Sequence, residues 1–257
     1  MDEATIDKLE FSRVRDALGA RCATSLGKRR ARSMRPAVKA KLVKDWLTQV
    51  RELTDLVAAD SAPPMGGVHD IREAVRATAL PAPLEPEALG RIADTLVASG
   101  NLHAWFDRIA DRVPSLASLK EQIHDLSEVA AVINEKIDGR GGVRDHASER
   151  LAAVRRGIEE ARGRARDVVD SLLRQDRFSR FLQYAGSTFH NDRLVLPLKA
   201  EHRGRIPGII HRSSDSGATL FVEPAESVAL NNTLVGLRER ESKEITRILT
   251  ELSRHVQ

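Results

Sequence analysis

The segment from His190 to Arg212, called the basic segment below, has the strongest charge imbalance in this sequence. It contains five arginine and lysine residues and three histidines, against the two acids Asp192 and Glu201. Clustered cations of this kind bind a phosphate backbone through counterion release, without reading bases. A basic surface that faces only solvent is the alternative. The candidate nucleic-acid-binding residues are Arg193, Lys199, His202, Arg203, Arg205, His211 and Arg212.

Other chemistries find less support in the same region. The histidines at 190, 202 and 211 are far apart and irregularly spaced, and no cysteine lies near them, so a zinc site is not expected. The serines of 213–216 lie beside His211 but lack the G-x-S-x-G pattern of a serine nucleophile. A Ser, Asp and Gly cluster between two strand-like runs predicts a turn. We therefore predict no catalytic residue and no metal here.

A phosphate-binding loop is also not expected. Seven residues separate Gly19 from Gly27, and Arg29 follows Lys28. A P-loop has four residues between its glycines and a serine or threonine after the lysine. Gly27 is instead predicted to lie at a helix start or in a close packing contact.

Bulk composition favours long, solvated helices over a compact enzyme core. The chain has 257 residues, of which 30% are charged and 4% aromatic, with a net charge of +4. This mild excess permits contact with nucleic acid or a ribosome without establishing it. The single cysteine, Cys22, excludes an internal disulfide and fits a reducing compartment. The first residues lack a signal-peptide core, and no apolar run reaches the ~20 residues of a membrane span, so we predict a cytoplasmic protein without membrane contact.

Two apolar repeats predict the elements that position the basic segment. The first has steps of four and three residues, typical of a long helix that packs along another helix. The second lies near the end of the sequence and is interrupted by Glu241. The first repeat consists of Ala147, Leu151, Val154, Ile158, Ala161, Ala165, Val168 and Leu172, and the second of Leu230, Leu234, Leu237, Ile245, Ile248 and Leu252.

Short runs rich in branched residues lie between the two repeats, at 193–199, 208–211 and 218–222. Pro197 is predicted to lie at a sheet edge or a bulge, because it lacks the N–H that a ladder needs. The first ~140 residues have the pattern of successive helices. The sequence therefore predicts a mainly α fold with two long antiparallel helices and a small β-rich tip between them.

The residues of the tip and the returning helix resemble the MutS-two family, the bacterial MutS paralogues whose longer members end in a Smr domain. Weaker agreement extends the resemblance to nearly the whole chain. The most specific matches are Gly208–His211, Ser214, Ser216–Thr219, Phe221–Pro224, Leu230–Asn232 and, upstream, Asp138–Gly139 and Val143–Asp145.

The resemblance implies a MutS core, lever and clamp architecture. Residues 1–183 and 226–257 would form the helical core and lever, and 184–225 a small antiparallel β clamp inserted at the tip. It also implies a homodimer, with an ATPase domain after the lever and in many members a Smr nuclease. ATP and magnesium would then bind sequence outside these 257 residues, and this part of the protein would not be an enzyme.

The expected function is a clamp that grips branched or duplex DNA without sequence specificity, in the control of recombination or repair. The resemblance also implies a link to the rescue of collided ribosomes. The first alternative is therefore an arm that binds the ribosome through ribosomal RNA. The second is a structural coiled-coil adaptor whose basic tip has no ligand.

Overall fold

The computed structural model describes residues 3–257, and the side chains of these except at 3, 4, 176 and 177. The chain divides into two compact units. The first unit extends to Arg144 and also includes Leu249–Gln257, and the second is Asp145–Ile248. The predicted mainly helical fold with a small antiparallel sheet is confirmed.

The first unit is mainly helical, and in its described residues the β structure is an isolated antiparallel bridge between Ile137 and Val143. Its core joins the end of α6 to α4, through Leu56, Trp105 and Phe106 with Ile109 and Leu116. Pro86 begins α6, where a missing N–H costs no hydrogen bond. The helices are α1 Glu3–Lys8, α2 Phe11–Arg21, α3 Ser25–Arg32, α4 Ala40–Ala58, α5 Arg72–Ala77, α6 Pro86–Ile109, α7 Ala117–Lys120 and α8 Ser127–Lys136.

The second unit packs two long helices on a four-stranded sheet. The strand order is β1-β2-β4-β3, and all neighbours are antiparallel. The three strand predictions are confirmed, whereas the three-residue strand β1 was not predicted. The elements are α9 Glu149–Leu173, α10 Asp176–Ser179, β1 Thr188–His190, β2 Arg193–Lys199, β3 Gly208–Ser213, β4 Thr219–Pro224 and α11 Val228–Val256, of which the second unit holds the part up to Ile248.

The apolar repeat of α9 is confirmed, with one correction. Leu151, Val154, Ile158, Ala161, Ala165 and Leu172 are buried, but Val169 takes the inward place that was predicted for Val168. The reason is that a straight α-helix has 3.6 residues per turn, so a strict repeat of 3.5 drifts around its surface.

Helices α9 and α11 run antiparallel within the second unit. Ser148, the N-cap of α9, contacts Glu244 of α11, and Arg155 of α9 contacts Glu241. Residue numbers therefore increase along α9 while those of the partners on α11 decrease. The inner face of α11 includes polar residues, because Asn231 and Glu244 are buried beside Leu234 and Ile248.

Packing groups the residues differently from the predicted boundary between 183 and 184. The α9 repeat shares one apolar core with Leu194, Leu196, Leu198 and Val222 of the sheet. Helix α9 therefore belongs to the same compact unit as the strands. The division into a core with lever and a clamp at 184–225 stays a prediction.

The prediction that Pro197 lies at a sheet edge or a bulge is wrong, because Pro197 lies in β2, which is an inner strand of regular register. Its carbonyl oxygen accepts a hydrogen bond from the Gln183 amide at 2.8 Å, on the side away from β4. On that side β1 pairs only with Arg193–Val195, so the absent N–H interrupts no continuous strand pairing.

No helix within residues 3–257 combines the length and the apolar content that crossing a bilayer requires.

Candidate nucleic-acid interface

The connection between β2 and β3 holds two exposed arginines on an anchored backbone. The Ala200 amide donates to the Ala218 carbonyl at 3.0 Å, and Ile206 is buried in the core of the second unit. Arg203 and Arg205 lie on either side of Gly204, whose φ of +81° makes the tight turn between them. Because Ile206 anchors the connection, both arginine side chains extend from an ordered backbone into solvent.

Arg203 and Arg205 have no ion-pair partner in the described part of the chain, and Arg212 on β3 is also exposed. The Arg212 guanidinium lies 5.1 Å from the centre of the Phe221 ring, a cation–π contact that leaves its N–H groups available. These three cations have the exposure that phosphate contacts require.

Lys199 and His202 are half-buried and already have local contacts. The Lys199 Nζ lies 3.5 Å from the Arg180 carbonyl oxygen. The His202 ring packs on Phe181 with centroids 4.9 Å apart, and its Nε2 lies 3.5 Å from Glu201. Their contribution to binding stays a prediction.

Arg193 and His211 belong to a buried network around Glu223, a role that the sequence analysis missed. The Glu223 side chain is 0% exposed, and Arg193 donates to both of its oxygens, at 2.8 and 3.1 Å. His211 Nε2 lies 2.5 Å from Oε2, and Asn231 Nδ2 donates to Oε1 at 2.9 Å. Asn231 and Glu223 lie within the motifs that carry the family resemblance, and those motifs were the available signal.

The Glu223 network connects the sheet to α11. Asn231 Oδ1 accepts from the Leu194 amide at 3.0 Å, and Arg193 Nη2 donates to Asn232 at 2.7 Å. Burial alone would raise the pKa of Glu223, but the hydrogen bonds from Asn231 and His211 and the charge of Arg193 leave this pKa below its ordinary value. Glu223 is thus an anion that is neutralised inside the protein, so its charge does not oppose a polyanion at the exposed arginines.

A second, partly buried network joins α9 to α11. Arg155 Nε donates to Glu241 at 2.8 Å, and both side chains are half-buried. Ser148 caps α9 by accepting from the Leu151 amide, and its hydroxyl donates to Glu244 at 2.8 Å. Glu241 therefore interrupts the apolar repeat of α11 because it is paired across the helices.

The lowered pKa values of Glu223, Glu241 and Glu244 predict that the second unit loses stability in acid. Arg247 and Ser148 hydrogen bonds lower the pKa of Glu244. Burial opposes a shift at Glu241, but bonds from Arg155 and Arg238 lower its pKa too. A carboxylate with a lowered folded-state pKa stabilises the fold above its ordinary value of 4.5, and this stabilisation is lost as pH falls below 4.5.

We expect the thermal stability of the second unit to be nearly independent of pH from 7 to about 5.5 and to fall steeply below pH 4.5. Each group contributes at most about 1.4 kcal/mol per pH unit. Differential scanning calorimetry across this range measures the effect. The variant Glu241→Gln should have lower stability at pH 7 and a shallower acid slope, whereas an unchanged slope would contradict the assignment.

The histidines and serines that were weighed as metal ligands or nucleophiles make turns and local contacts. The rings of His190 and His211 have centroids 6.5 Å apart, and His202 lies against Phe181. Within the described residues no group of three or more His, Cys, Asp or Glu side chains could hold a metal ion. The serine cluster forms the predicted turn, because the Thr219 amide donates to Ser214 Oγ at 3.0 Å.

Gly27 belongs to a capped helix start. Gly27 lies in the first turn of α3, and its amide donates to the capping Thr24 Oγ1 at 3.0 Å. A Cβ at Gly27 would lie 3.2 Å from that oxygen and 3.3 Å from the Cβ of Cys22. The prediction that Gly27 serves a helix start is confirmed.

Comparison with known proteins finds clear relatives, although no family model matches the chain. It is 36% identical to the endonuclease MutS2 of Geobacillus sp. (strain WCH70) over 256 residues, which is 98% of this chain and 33% of that protein. It is 34% identical to the putative endonuclease MutS2 of Bacillus subtilis over the same shares. The corresponding protein of Symbiobacterium thermophilum is 35% identical over 98% of this chain and 32% of its own length.

The chain thus spans about a third of the length of the curated relatives that it matches. The resemblance found from the motifs is confirmed at this level. Nearly the whole of this chain is similar to a segment that makes up about a third of each relative named endonuclease MutS2.

Proposed function

We propose that this chain is the core, lever and clamp part of a MutS2 protein and that the connection between β2 and β3 binds nucleic acid. The match to relatives named MutS2 over 98% of the chain supports the family assignment. The long antiparallel helices of the second unit and their small sheet agree with the lever and clamp that the family resemblance implies. In this proposal the chain grips branched or duplex DNA in the control of recombination or repair.

The observation that carries the proposal is the division between exposed cations and a neutralised acid. Arg203, Arg205 and Arg212 are exposed on the sheet and its connection, whereas Glu223 is buried and bonded to Arg193 and His211. Between Lys199 and Thr219 these three arginines outnumber the two exposed acids, Glu201 and Asp215, so the charge that this stretch presents to solvent is positive. Such a surface neutralises phosphates at any base sequence.

Catalysis is assigned to sequence beyond these 257 residues, because the relatives are about three times as long and their printed names include endonuclease. We propose that ATP and magnesium bind there and that the whole protein is a homodimer in the cytoplasm. The residues of this chain would bind and position nucleic acid without cutting it.

The double variant Arg203→Ala/Arg205→Ala tests the binding surface. We expect about 10- to 100-fold weaker binding to duplexes of two unrelated sequences and to a four-way junction, since two charge-assisted contacts are lost. The slope of log affinity against log salt should fall by about 2. Fluorescence anisotropy across a salt series measures both quantities.

The matched control is Arg30→Ala/Arg32→Ala, which removes the same charge from two exposed arginines of α3 in the first unit. It should change the affinity by less than about threefold if the effect is local. Equal losses in both variants would show a general charge effect, and unchanged affinity in the first variant would overturn the proposal.

A ribosome-binding arm is the second candidate, because aromatic side chains near the tip are exposed. Tyr184 is 49% and Phe189 42% exposed, and the Arg162 guanidinium lies 5.5 Å from the centre of the Phe189 ring. Exposed rings stack on unpaired bases, which folded RNA presents and intact duplex DNA does not. Tighter binding to collided disomes than to four-way junctions, lost in Phe189→Ala, would favour this candidate.

A further inference from the structure

Strand β3 is an open edge of the four-stranded sheet. It lies last in the strand order, and β4 is its one neighbouring strand in the described residues. Every residue of β3 except His211, whose ring bonds to buried Glu223, is exposed. Ile209 and Ile210, whose side chains point to opposite faces of the sheet, are 48% and 39% exposed. The strand is therefore accessible along its outer side and on both faces, and such an edge can pair with another strand.

The hydrogen bonds to β4 show which main-chain groups of β3 point outward. Two bonds mark the ends of the pairing, from the Ala225 amide to the Pro207 carbonyl at 2.9 Å and from the Ser214 amide to the Thr219 carbonyl at 2.8 Å. Main-chain groups alternate between the two sides of a strand, and the bulge at His211 interrupts this alternation once. The N–H and C=O groups of Ile210 and Ser213 therefore point away from β4, and among residues 3–257 no other main-chain or side-chain group hydrogen-bonds to them.

The charges along this edge favour an acidic strand over a basic one. Within β3, Arg212 is exposed and no residue is acidic. Arg205 and Glu226 lie beyond the start of β3 and have opposite charges, and Asp215 lies beyond its end. An acidic side chain opposite Arg212 would thus meet a cation, whereas acids at the ends of an added strand would meet Glu226 or Asp215.

We propose that the outer edge of β3 binds an extended peptide by strand addition, and that this peptide has an acidic side chain opposite Arg212 with branched apolar residues beside it. Main-chain bonds to Ile210 and Ser213 supply affinity in this mode of recognition, and the neighbouring side chains supply selectivity. The observations are separate from those for nucleic-acid binding, but Arg212 belongs to both surfaces. An acidic peptide and DNA should therefore compete for this edge.

Fluorescence anisotropy with a labelled peptide and the 257-residue chain tests the proposal. The probe is a short peptide of alternating threonine and valine around a central glutamate, and we expect a dissociation constant in the micromolar range. The same peptide with a central lysine should bind at least about tenfold more weakly, because its charge repels Arg212. N-methylation of every second peptide amide should prevent binding when it falls on the edge that faces β3, and should leave binding unchanged on the other edge.

Ile210→Pro is the decisive variant, because proline removes the outward N–H while the main-chain bonds of Ile209 and Arg212 to β4 remain. Ile210→Ala is the matched control, since it loses the same apolar side chain but keeps the N–H. Proline should weaken peptide binding at least about tenfold more than alanine does. Protection of the β4 amides from hydrogen exchange verifies that the sheet is intact in both variants. If Ile210→Pro disrupts the sheet, Arg212→Glu replaces it and should reverse the preference between the glutamate and lysine peptides.

Equal binding of the two N-methylated peptides, of the glutamate and lysine peptides, or by Ile210→Pro and Ile210→Ala would overturn the proposal. A peptide-free chain that dimerises through this edge, seen by sedimentation velocity and reversed by Ile210→Pro, would make a second copy the occupant and would also overturn it. Nucleic-acid binding is measured separately, without peptide. Intact DNA affinity with no peptide binding would therefore refute strand addition alone, whereas absent DNA binding with normal peptide binding would refute the proposed function alone.

Discussion

Replacing Glu223 by glutamine should lower the free energy of unfolding of the second unit by about 3 kcal/mol, because it leaves the Arg193 charge without its buried partner. Glutamine has the size of glutamate, so the loss reports the network and not a cavity. The NH₂ group of the new glutamine would also point at a hydrogen-bond donor. Rotating the amide does not help, because Arg193 donates to both oxygen positions of Glu223.

Hydrogen exchange of the β2 and β4 amides, read with denaturant unfolding, measures this change. Glu226→Gln is the matched control, because Glu226 is exposed three residues further along the chain. Its effect should stay within about 0.5 kcal/mol. If Glu223→Gln were equally mild, Arg193 and His211 would have no structural need of the acid and would return to the candidate binding residues.

Gly208→Ala should detach the edge strand β3. A Cβ at Gly208 would lie 2.0 Å from the carbonyl oxygen of Glu223 and 2.9 Å from its carbonyl carbon. Both are backbone atoms of the paired strand β4, so relief requires movement of a strand. Overpacking of this kind costs about 3 kcal/mol, and protection from exchange should be lost first in β3.

The opposite sign is expected at Gly236 in the interior of α11, where an added Cβ meets nothing within 4 Å. Gly236→Ala should raise the stability by about 0.5–1 kcal/mol, since alanine loses less conformational freedom than glycine when a helix forms. Thermal unfolding of the two glycine variants compares them directly. A stable Gly208→Ala protein with β3 still protected would show that the strand pairing tolerates a side chain.

Local residue patterns predicted most of the secondary structure. Branched residues at 193–199, 208–211 and 218–222 predicted β2, β3 and β4, and the two apolar repeats predicted α9 and α11. Strand-forming runs and apolar repeats depend on residues that are close together in the chain, so they can be found from a single sequence. A threonine such as Thr5 can cap a helix, but α1 already includes Thr5 and ends before Glu10, which has a φ of +49°.

Glycine content alone misjudged one segment. By composition alone, the three glycines of residues 138–142 favour a flexible joint. The structure has an ordered hairpin there, in which the Asp138 carboxylate accepts from the amides of Arg140 and Gly142 at 2.8 Å. These bonds lower the pKa of Asp138. The same glycines that permit flexibility also permit the tight turn, and the aspartate decides between them.

The sequence by itself determined the helical class, the two long amphipathic helices, the strands of the small sheet and the location of the basic segment, because each depends on periodicity or on charge counted along the chain. The tertiary structure alone decided which cations are exposed. Arg193 and Arg203 are chemically identical in the sequence, but strand order and register bring Arg193 beside buried Glu223, whereas the Ile206 anchor leaves Arg203 in solvent. Burial and partner distance arise from residues remote in sequence, and these two quantities separate a structural arginine from a candidate ligand-binding one.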